Sequence, residues 1–201
     1  MTDLTHAFSD DLAATLTRAF DLLARAAADR RSPMHTPSVA SIGLDGAPRS
    51  RTVVLRHFDR GERCLRFHTD IRSEKYAELT SDPRISTLFY DADKKVQLRL
   101  SGMASLHVTD EIADGAWAAS QAMSRHCYAT EPAPGSAIME GGAFSIPKGR
   151  DLTEVGRPHF CAVRIKFSKL EWLWLGSDGH RRALFEWDNA ASTPVMRWLV
   201  P

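Results

Sequence analysis

The chain has 201 residues, 43% hydrophobic and 25% charged, so it can bury a core and disorder is not expected. Its formal net charge of +1 gives no long-range field that would attract nucleic acid, and no apolar run approaches membrane-spanning length. Cys64, Cys127 and Cys161 form no CxxC pair, and the N-terminus shows no secretory pattern, so we expect a cytoplasmic protein with reduced thiols.

Residues 1–33 predict an N-terminal helix. Ser9, followed by Asp10 and Asp11, resembles a helix start, because acidic residues favour the positive end of the helix dipole. Apolar residues then recur at helical spacing to about Asp29, and Ser32-Pro33 ends the pattern. The apolar stripe predicts that this helix covers either its own barrel or a partner subunit.

The rest of the chain is mainly β in pattern, with a period of two from Ser38 onward. Asp45-Gly46, Arg60-Gly61 and the 177–179 stretch read as hairpin turns. The predicted strands are 38–44, 49–58, 65–69, 85–90, 96–108, 160–167, 170–175, 182–187 and 196–201, with a short helix at 73–79. Because hairpins dominate and no βαβ repeat occurs, we expect a mainly β (α+β) fold with an antiparallel barrel.

One segment, residues 110–156, does not follow this pattern. It begins helical at 112–123 and then loses all periodicity through a Pro- and Gly-rich stretch. Long irregular segments of compact domains are often functional or mobile. No composition shift or linker divides the chain, so we expect a single domain over residues 1–201.

Several common catalytic motifs are missing from the sequence. There is no Walker A sequence, GxGxxG or HExxH, and the eight histidines lack metal-ligand spacing. The Gly176-Ser177 pair superficially resembles a nucleophile turn, but it lies between two predicted strands rather than a strand and a helix. The sequence therefore predicts no metal site and gives hydrolase chemistry little support.

The first positive signal is the strand segment 51–56. Arg51 and Arg56 lie at its two ends on opposite faces, with Thr52-Val53-Val54-Leu55 between them. This arrangement can frame a flat apolar ligand that carries charge. An edge strand whose arginines extend into water would give the same pattern.

The second signal is the predicted strand-to-helix turn from His68 to Lys75. The first amides of a helix lack partners and can bind a phosphate, to which Ser73 could add a hydroxyl and Lys75 a charge. An ordinary serine N-cap is the alternative. Farther along, the amide of Gln97 suits the polar edge of a flavin ring, although a solvent-facing glutamine is the default alternative. Trp174 lies in a tryptophan-rich hairpin that fits either a planar ligand or a core.

Taken together, these motifs resemble the pyridoxamine 5'-phosphate oxidase family. The family pattern Arg-x-Val-Leu-Leu-Lys reappears as residues 51–56, and its phosphate turn as His68-Thr69 followed by Ser73-Glu74-Lys75. Its Arg-Gln-Val strand resembles residues 96–98. Its C-terminal Glu-Phe-Trp, the His-Arg after the turn and the closing Arg-Leu-Ala-Pro resemble residues 171–174, 180–181 and 197–201. The resemblance covers roughly residues 38–106 and 160–201.

The resemblance implies a split β-barrel with an N-terminal helix and a few peripheral helices, forming a homodimer with FMN at the subunit interface. It also implies an FMN-dependent oxidoreductase with a small-molecule substrate. The implied phosphate ligands are Arg51, Ser73 and Lys75. The alignment with the family places Trp174 and Arg182 to within one residue. The implied cofactor-binding set is Arg51, Val53, Val54, Leu55, His68, Thr69, Ser73, Lys75, Gln97, Trp174 and Arg182.

Two departures weaken the implied substrate more than the implied cofactor. Glu74 stands where the family has a second phosphate-binding arginine, and Arg56 replaces a lysine that faces substrate. The family's other substrate residues belong to the segment 110–156, where Arg125 and Tyr128 are candidates by residue type alone, beside Arg56. The alternatives are a non-catalytic FMN-binding module, a barrel that binds haem or F420, and a purely structural dimer; no nucleic acid, membrane or metal partner is expected.

Overall fold

The structure, a computed structural model, describes residues 10–147, 155–177, 179–188 and 193–201. Within these ranges, nine strands form one sheet in which every strand pair is antiparallel. The strands are β1 Ser38–Ile42, β2 Pro48–Thr52, β3 His57–Asp59, β4 Cys64–Asp70, β5 Arg84–Asp91, β6 Val96–His107, β7 Phe160–Trp174, β8 Arg181–Glu186 and β9 Val195–Leu199. The helices are α1 Leu12–Ala28, α2 Glu74–Ser81, α3 Glu111–Ala118 and α4 Ala122–His126. The mainly antiparallel fold that we expected is confirmed.

The long strand β7 organises the sheet. The order is β2-β1-β5-β6-β7-β4-β3, and β8 also pairs with β7, with β9 added at its edge. The first half of β7 pairs with β4 and the second half with β8, while β6 follows its other edge throughout. This branching at one strand splits the sheet into two sections around a shared core.

The helix α1 covers its own barrel. Asp11 caps its N-terminus by accepting a hydrogen bond from the Ala14 amide at 3.0 Å. Phe20 faces inward and packs against the rings of Phe58 and Trp187, with centroid distances of 5.6 and 6.2 Å. The structure thus selects the first of the two alternatives for the helix, although the cap is Asp11 and Ser9 lies outside the described residues.

Three predicted boundaries were wrong. The strand expected at 49–58 is two strands, because Val53 donates to the Pro37 carbonyl whereas Arg56 donates to that of Arg66, so the chain changes partner between them. The strands expected at 160–167 and 170–175 are one strand, β7, with a bulge. The helix expected at 112–123 breaks after Ala118 into α3 and α4.

The irregular segment contains a small closed loop. Glu131 and Ser145 exchange backbone hydrogen bonds of 2.9 and 2.8 Å, which pair the two ends of the stretch between them. Most side chains of this loop are exposed. In the part of the chain that the structure describes, no helix is long and apolar enough to cross a lipid bilayer.

The bulge between β6 and β7 depends on Gly102. The register shifts between Ser101 and Gly102, and Ser168 is the extra residue on β7. A Cβ atom on Gly102 would lie 2.2 Å from the Lys166 carbonyl oxygen and 2.6 Å from the Phe167 Cα. These neighbours are backbone atoms of a central strand, so they cannot move aside without disturbing the sheet.

We therefore expect Gly102→Ala to lower the free energy of unfolding by about 1–3 kcal/mol through overpacking. Gly115 in α3 is the matched control, because no atom of the described residues lies within 4 Å of its Cβ position. There, alanine should stabilise the helix by roughly 0.5–1 kcal/mol. Urea denaturation of both variants checks the pair, and equal effects would show that the bulge does not constrain residue 102.

Candidate functional site

A buried ion pair joins β1, β2 and α2 at one corner of the sheet. Arg51 Nη2 donates to Glu78 Oε2 at 2.6 Å, and the Glu78 side chain is only 3% exposed. Ser41 Oγ donates to the same carboxylate oxygen at 2.6 Å and is also contacted by the second Arg51 terminal nitrogen. The guanidinium group of Arg51 is therefore held in one orientation.

Lys75 lies beside this pair in the first turn of α2. Burial lowers the pKa of the Lys75 ammonium, and the nearby Arg51 charge lowers it further. Its Nζ lies 5.5 Å from the ring centroid of Phe67, and no described carboxylate approaches within 4 Å. Since Arg51 and Lys75 together outnumber Glu78 in charge, the corner keeps an uncompensated positive charge.

The N-terminus of α2 faces the same corner. Ser73 is its N-cap, and the Ser73 hydroxyl donates to the Asp70 carbonyl at 2.7 Å. Thr69 Oγ1 lies 3.1 Å from Ser73 Oγ. The strand-to-helix turn predicted from sequence is therefore present, with two hydroxyls next to the free amides of the first helical turn.

Arg72 fastens the irregular segment to this turn. It bonds both carboxylate oxygens of Asp70, at 2.9 and 2.6 Å, and donates to the carbonyls of Thr130 and Tyr128 at 3.1 and 3.2 Å. The Asp70 side chain is 7% exposed. This clamp brings the Tyr128 side chain to the site.

A cavity of about 220 Å³ lies between these elements. Its wall is formed by most of the predicted residues of segment 51–56, together with His68, Lys75 and Tyr128. The lining residues are Thr52, Val53, Val54, Arg56, His68, Lys75 and Tyr128. The structure thus brings the two sequence signals together, while Val53 and Leu55 also bury their side chains in the core.

His68 presents an unpartnered ring nitrogen here. Its Nε2 atom is buried and has no hydrogen-bond partner among the described residues, and its ring packs edge-on against Phe160 at 4.7 Å. Burial, reinforced by the charges of Arg66 and Arg56, lowers the pKa of His68 to about 3. The imidazole is therefore neutral at physiological pH, with one buried ring nitrogen that lacks a hydrogen-bond partner among the described residues.

Tyr128 contributes a protonated hydroxyl. Burial raises the pKa of Tyr128 well above its usual value. Its ring packs against Trp117 and Phe160, with centroid distances of 5.8 and 5.1 Å. The phenol is thus held in place and can act as a hydrogen-bond donor but not as a base.

Arg125 lies outside the lining of this cavity. Its Nη2 donates to the carbonyls of Trp117 and Ala118, both at 2.9 Å, and its guanidinium stacks over the Trp117 ring at 5.2 Å. These contacts satisfy the last carbonyls of α3. Of the two candidates chosen by residue type in this segment, only Tyr128 borders the cavity.

Gln97, Trp174 and Arg182 also lie apart from the cavity within one chain. Gln97 and Arg182 both pair with Leu173, so they share one row across β6, β7 and β8. Arg182 Nη2 donates to Glu171 at 2.6 Å. Trp174 lies next to this row on β7 and packs partly against the core.

Sequence reasoning missed the residues that hold the site together. Glu78, Asp70 and Arg72 are largely buried yet charged, and such residues require partners. The only local signal for Glu78 was its spacing from Lys75, which lies three residues earlier on the same helix face. In the described ranges, no group of three or more His, Cys, Asp or Glu side chains is arranged to hold a metal ion.

Comparison with known proteins identifies the family. Residues 18–108 match the sequence model of the family described as "Pyridoxamine 5'-phosphate oxidase, FMN-binding domain". Pyridoxine/pyridoxamine 5'-phosphate oxidase 2 of Arabidopsis thaliana is 30% identical over 169 residues, covering 80% of this chain and 82% of that protein.

Two solved structures share the fold. A pyridoxamine 5'-phosphate oxidase-related, FMN-binding protein from Nostoc punctiforme superposes with a TM-score of 0.76 at 23% identity, covering 92% of this chain and 96% of that one. PhzG from Burkholderia lata, in complex with tetrahydrophenazine-1-carboxylic acid, gives 0.73 at 21% identity, covering 100% and 99%. The chain therefore belongs to the pyridoxamine 5'-phosphate oxidase family, whose shared domain is an FMN-binding split barrel.

Proposed function

We propose that the protein binds FMN and uses it to oxidise a small anionic substrate, working as a cytoplasmic homodimer. The observation that carries the proposal is the excess of positive charge where the partly buried Lys75 lies beside the Arg51–Glu78 pair, in the first turn of α2. A buried cation without a carboxylate partner is costly unless an anion binds it. Three free cysteines, two of them buried, agree with a reducing compartment.

The residues present fit the phosphate of FMN. Lys75 supplies a charge, Ser73 and Thr69 supply hydroxyls, and the helix N-terminus supplies amides and a favourable dipole. Arg51 adds a second cation whose direction Glu78 fixes. The exposed Glu74 does not pair with Lys75 within 4 Å, so it leaves the charge of this corner available.

The cavity wall also fits a planar ring. Val53 and Val54 line it where the chain leaves β2, and His68, another lining residue, has a buried Nε2 without a partner among the described residues that a polar ring edge could satisfy. When bound, FMN accepts the two electrons that the substrate loses. The protein's part is to orient the substrate, since none of the lining residues is placed as an obligatory acid or base.

A second copy of the chain would complete the site. The cavity of about 220 Å³ is smaller than the roughly 300–1,000 Å³ typical of ligand pockets. Leu88 and Tyr90 are 41% and 47% exposed on the sheet face that also carries Gln97. Pairing of this face between two subunits would cover these apolar side chains and could bring Gln97 and Arg182, which share it, to the partner's flavin.

Arg56 and Tyr128 are the proposed substrate contacts. Both line the cavity, Arg56 is exposed, and the Tyr128 hydroxyl stays protonated. A cation and a donor at one end of a flat site select a ring with an anionic group. Phosphate esters of pyridoxine and pyridoxamine, the substrates in the name of the Arabidopsis relative, meet this description.

FMN binding is the first test. The purified protein should be yellow, dimeric by light scattering, and able to take up FMN after removal of bound flavin. Lys75→Gln should weaken FMN binding about 10–100-fold, the effect of losing roughly 1.5–3 kcal/mol from a charge-assisted hydrogen bond. Lys166→Gln, at a 62% exposed lysine, is the control and should bind as the wild type does. A colourless protein that ignores FMN, or shows a Soret band, would contradict the proposal.

Turnover separates an oxidase from a non-catalytic flavin-binding module. We expect the FMN-loaded protein to oxidise pyridoxine or pyridoxamine 5'-phosphate with oxygen as acceptor. Arg56→Ala should raise the Michaelis constant about tenfold or more without releasing the flavin. Arg49→Ala, at an exposed arginine paired with Asp45, serves as control. Bound flavin with no turnover of either ester would favour the module.

The neutral state of His68 predicts a specific pH dependence of stability. Because the folded pKa of about 3 lies below the ordinary 6.5, the unfolded chain binds the proton first as pH falls. His68 therefore lowers the free energy of unfolding between pH 6.5 and 3, by up to about 1.4 kcal/mol per pH unit. His68→Gln removes this pH-dependent decrease. The free energy of unfolding of the variant, measured by urea titration relative to that of the wild type, should therefore increase from pH 7 to pH 4.5. Parallel curves would refute a buried neutral imidazole.

A further inference from the structure

Three polar side chains at the junction of β6 and α3 form a hydrogen-bonded chain away from the cavity beside Lys75. Ser105 Oγ lies 2.9 Å from His107 Nε2, and His107 Nδ1 lies 2.6 Å from Asp110 Oδ2. Ser105 and His107 are two residues apart on β6, so their side chains lie on the same face of the sheet. Asp110 follows where the chain turns into α3. A hydroxyl, an imidazole and a carboxylate are therefore joined in that order.

Asp110 holds the imidazole in one orientation. It is the N-cap of α3, and its Oδ1 atom accepts a hydrogen bond from the Ala113 amide at 2.9 Å. This bond lowers the pKa of Asp110, and the bond to His107 lowers it further. The carboxylate is therefore ionised at neutral pH and can only accept hydrogen bonds.

The tautomer of His107 follows from this carboxylate. Because Asp110 can only accept, Nδ1 of the neutral imidazole carries the proton and donates it to Oδ2. The Nε2 atom then has a free lone pair, and the Ser105 hydroxyl donates to it. The His107 side chain is only 16% exposed, whereas Ser105 is exposed. A hydroxyl that reaches solvent is thus bonded to an oriented base.

We propose that Ser105, His107 and Asp110 form a nucleophilic site that hydrolyses small carboxylic esters, an activity separate from the flavin chemistry. A nucleophile and its base within about 2.6–3.2 Å, with a third group orienting the base, is the arrangement that covalent catalysis requires. The two distances in this chain meet that requirement. Such triads are recognised by geometry and roles rather than by sequence order, which is why no sequence motif revealed this one.

The reaction uses only these groups and water. Ser105 Oγ attacks the carbonyl carbon of the ester while its proton passes to His107 Nε2. The ester C–O bond then breaks, and the leaving alcohol takes that proton. Water next attacks the acyl group on Ser105 and gives a proton to Nε2, which returns it to Ser105 Oγ. The net reaction converts ester and water to carboxylic acid and alcohol without a redox step.

Arg164 supplies a positive charge beside the proposed nucleophile. It lies directly opposite Ser105 on β7, and its Nε donates to the Cys64 sulfur at 3.1 Å rather than to a carboxylate. Arg164 also lines a cavity of about 220 Å³ between α3 and the sheet, smaller than the roughly 300–1,000 Å³ of ordinary ligand pockets. The site therefore suits esters with a short acyl group, and Arg164 favours the negative charge that develops on the carbonyl oxygen.

An activated ester and a covalent probe test the site. We would measure the release of p-nitrophenol from p-nitrophenyl acetate, and locate the label left by diisopropyl fluorophosphate by peptide mass spectrometry. The variants are Ser105→Ala, His107→Gln and Asp110→Asn. Asparagine caps helices about as well as aspartate, so the last variant removes the charge and keeps the cap of α3. Ser101→Ala, four residues earlier on the same strand, is the matched control.

We expect the label on Ser105 of the wild-type protein. Hydrolysis should be about tenfold or more slower in each of the three variants and unchanged in Ser101→Ala. Because the residues act as a unit, combining Ser105→Ala with His107→Gln should cost little more than either change alone.

Hydrolysis that persists in Ser105→Ala would overturn the proposal, as would a label found only on other residues. The absence of both label and hydrolysis in the wild-type protein would overturn it as well, and would leave the three residues a structural role at the start of α3. The label is read on the wild-type protein, so a variant that fails to fold does not affect that result, and neither readout depends on bound flavin.

Discussion

The ion pair between Arg51 and Glu78 is the interaction on which the site depends. It links β2 to α2 across 27 residues of sequence, and Ser41 ties β1 to the same carboxylate. Breaking one partner of a buried pair costs about 3–5 kcal/mol, because the other charge is left without compensation. The pair therefore fixes the N-terminus of α2 against the sheet edge, and the position of Lys75 follows from it.

Outside this ion pair, the described residues around the site carry more positive than negative charge. Lys75, Arg56 and Arg66 have no carboxylate partner among the described residues, although Lys75 and Arg66 are half-buried or more. The folded protein carries the cost of desolvating these cations before any ligand binds. Bound anions would offset this free-energy cost. The affinity for anionic ligands and the gain in the free energy of unfolding on binding them therefore both report the same excess of positive charge.

The features predictable from sequence are those set by local periodicity. Alternation at 38–42 and the helical stripe of α1 identified elements that the structure contains, and the turn at Ser73 begins α2 as expected. The Gly102 bulge was invisible because its cause, the Lys166 carbonyl, is 64 residues away in the sequence. Glu78 was overlooked because its partners lie on other elements, and the roles of the individual FMN residues remain predictions from family likeness.

The irregular segment shows why the proposed substrate contacts are harder to place from sequence than the proposed cofactor contacts. The elements around Lys75 are regular, so a motif fixes where each side chain points. Tyr128 instead reaches the cavity through the Arg72 clamp, which holds two carbonyls of a stretch without periodicity. Arg125, three residues earlier, ends α3 instead. Residue type alone could not distinguish Tyr128 from Arg125. Their positions depend on which backbone carbonyls Arg72 and Arg125 bind. Under the proposed function, substrate choice can change through this segment while the corner formed by Arg51, Ser73 and Lys75 stays constant.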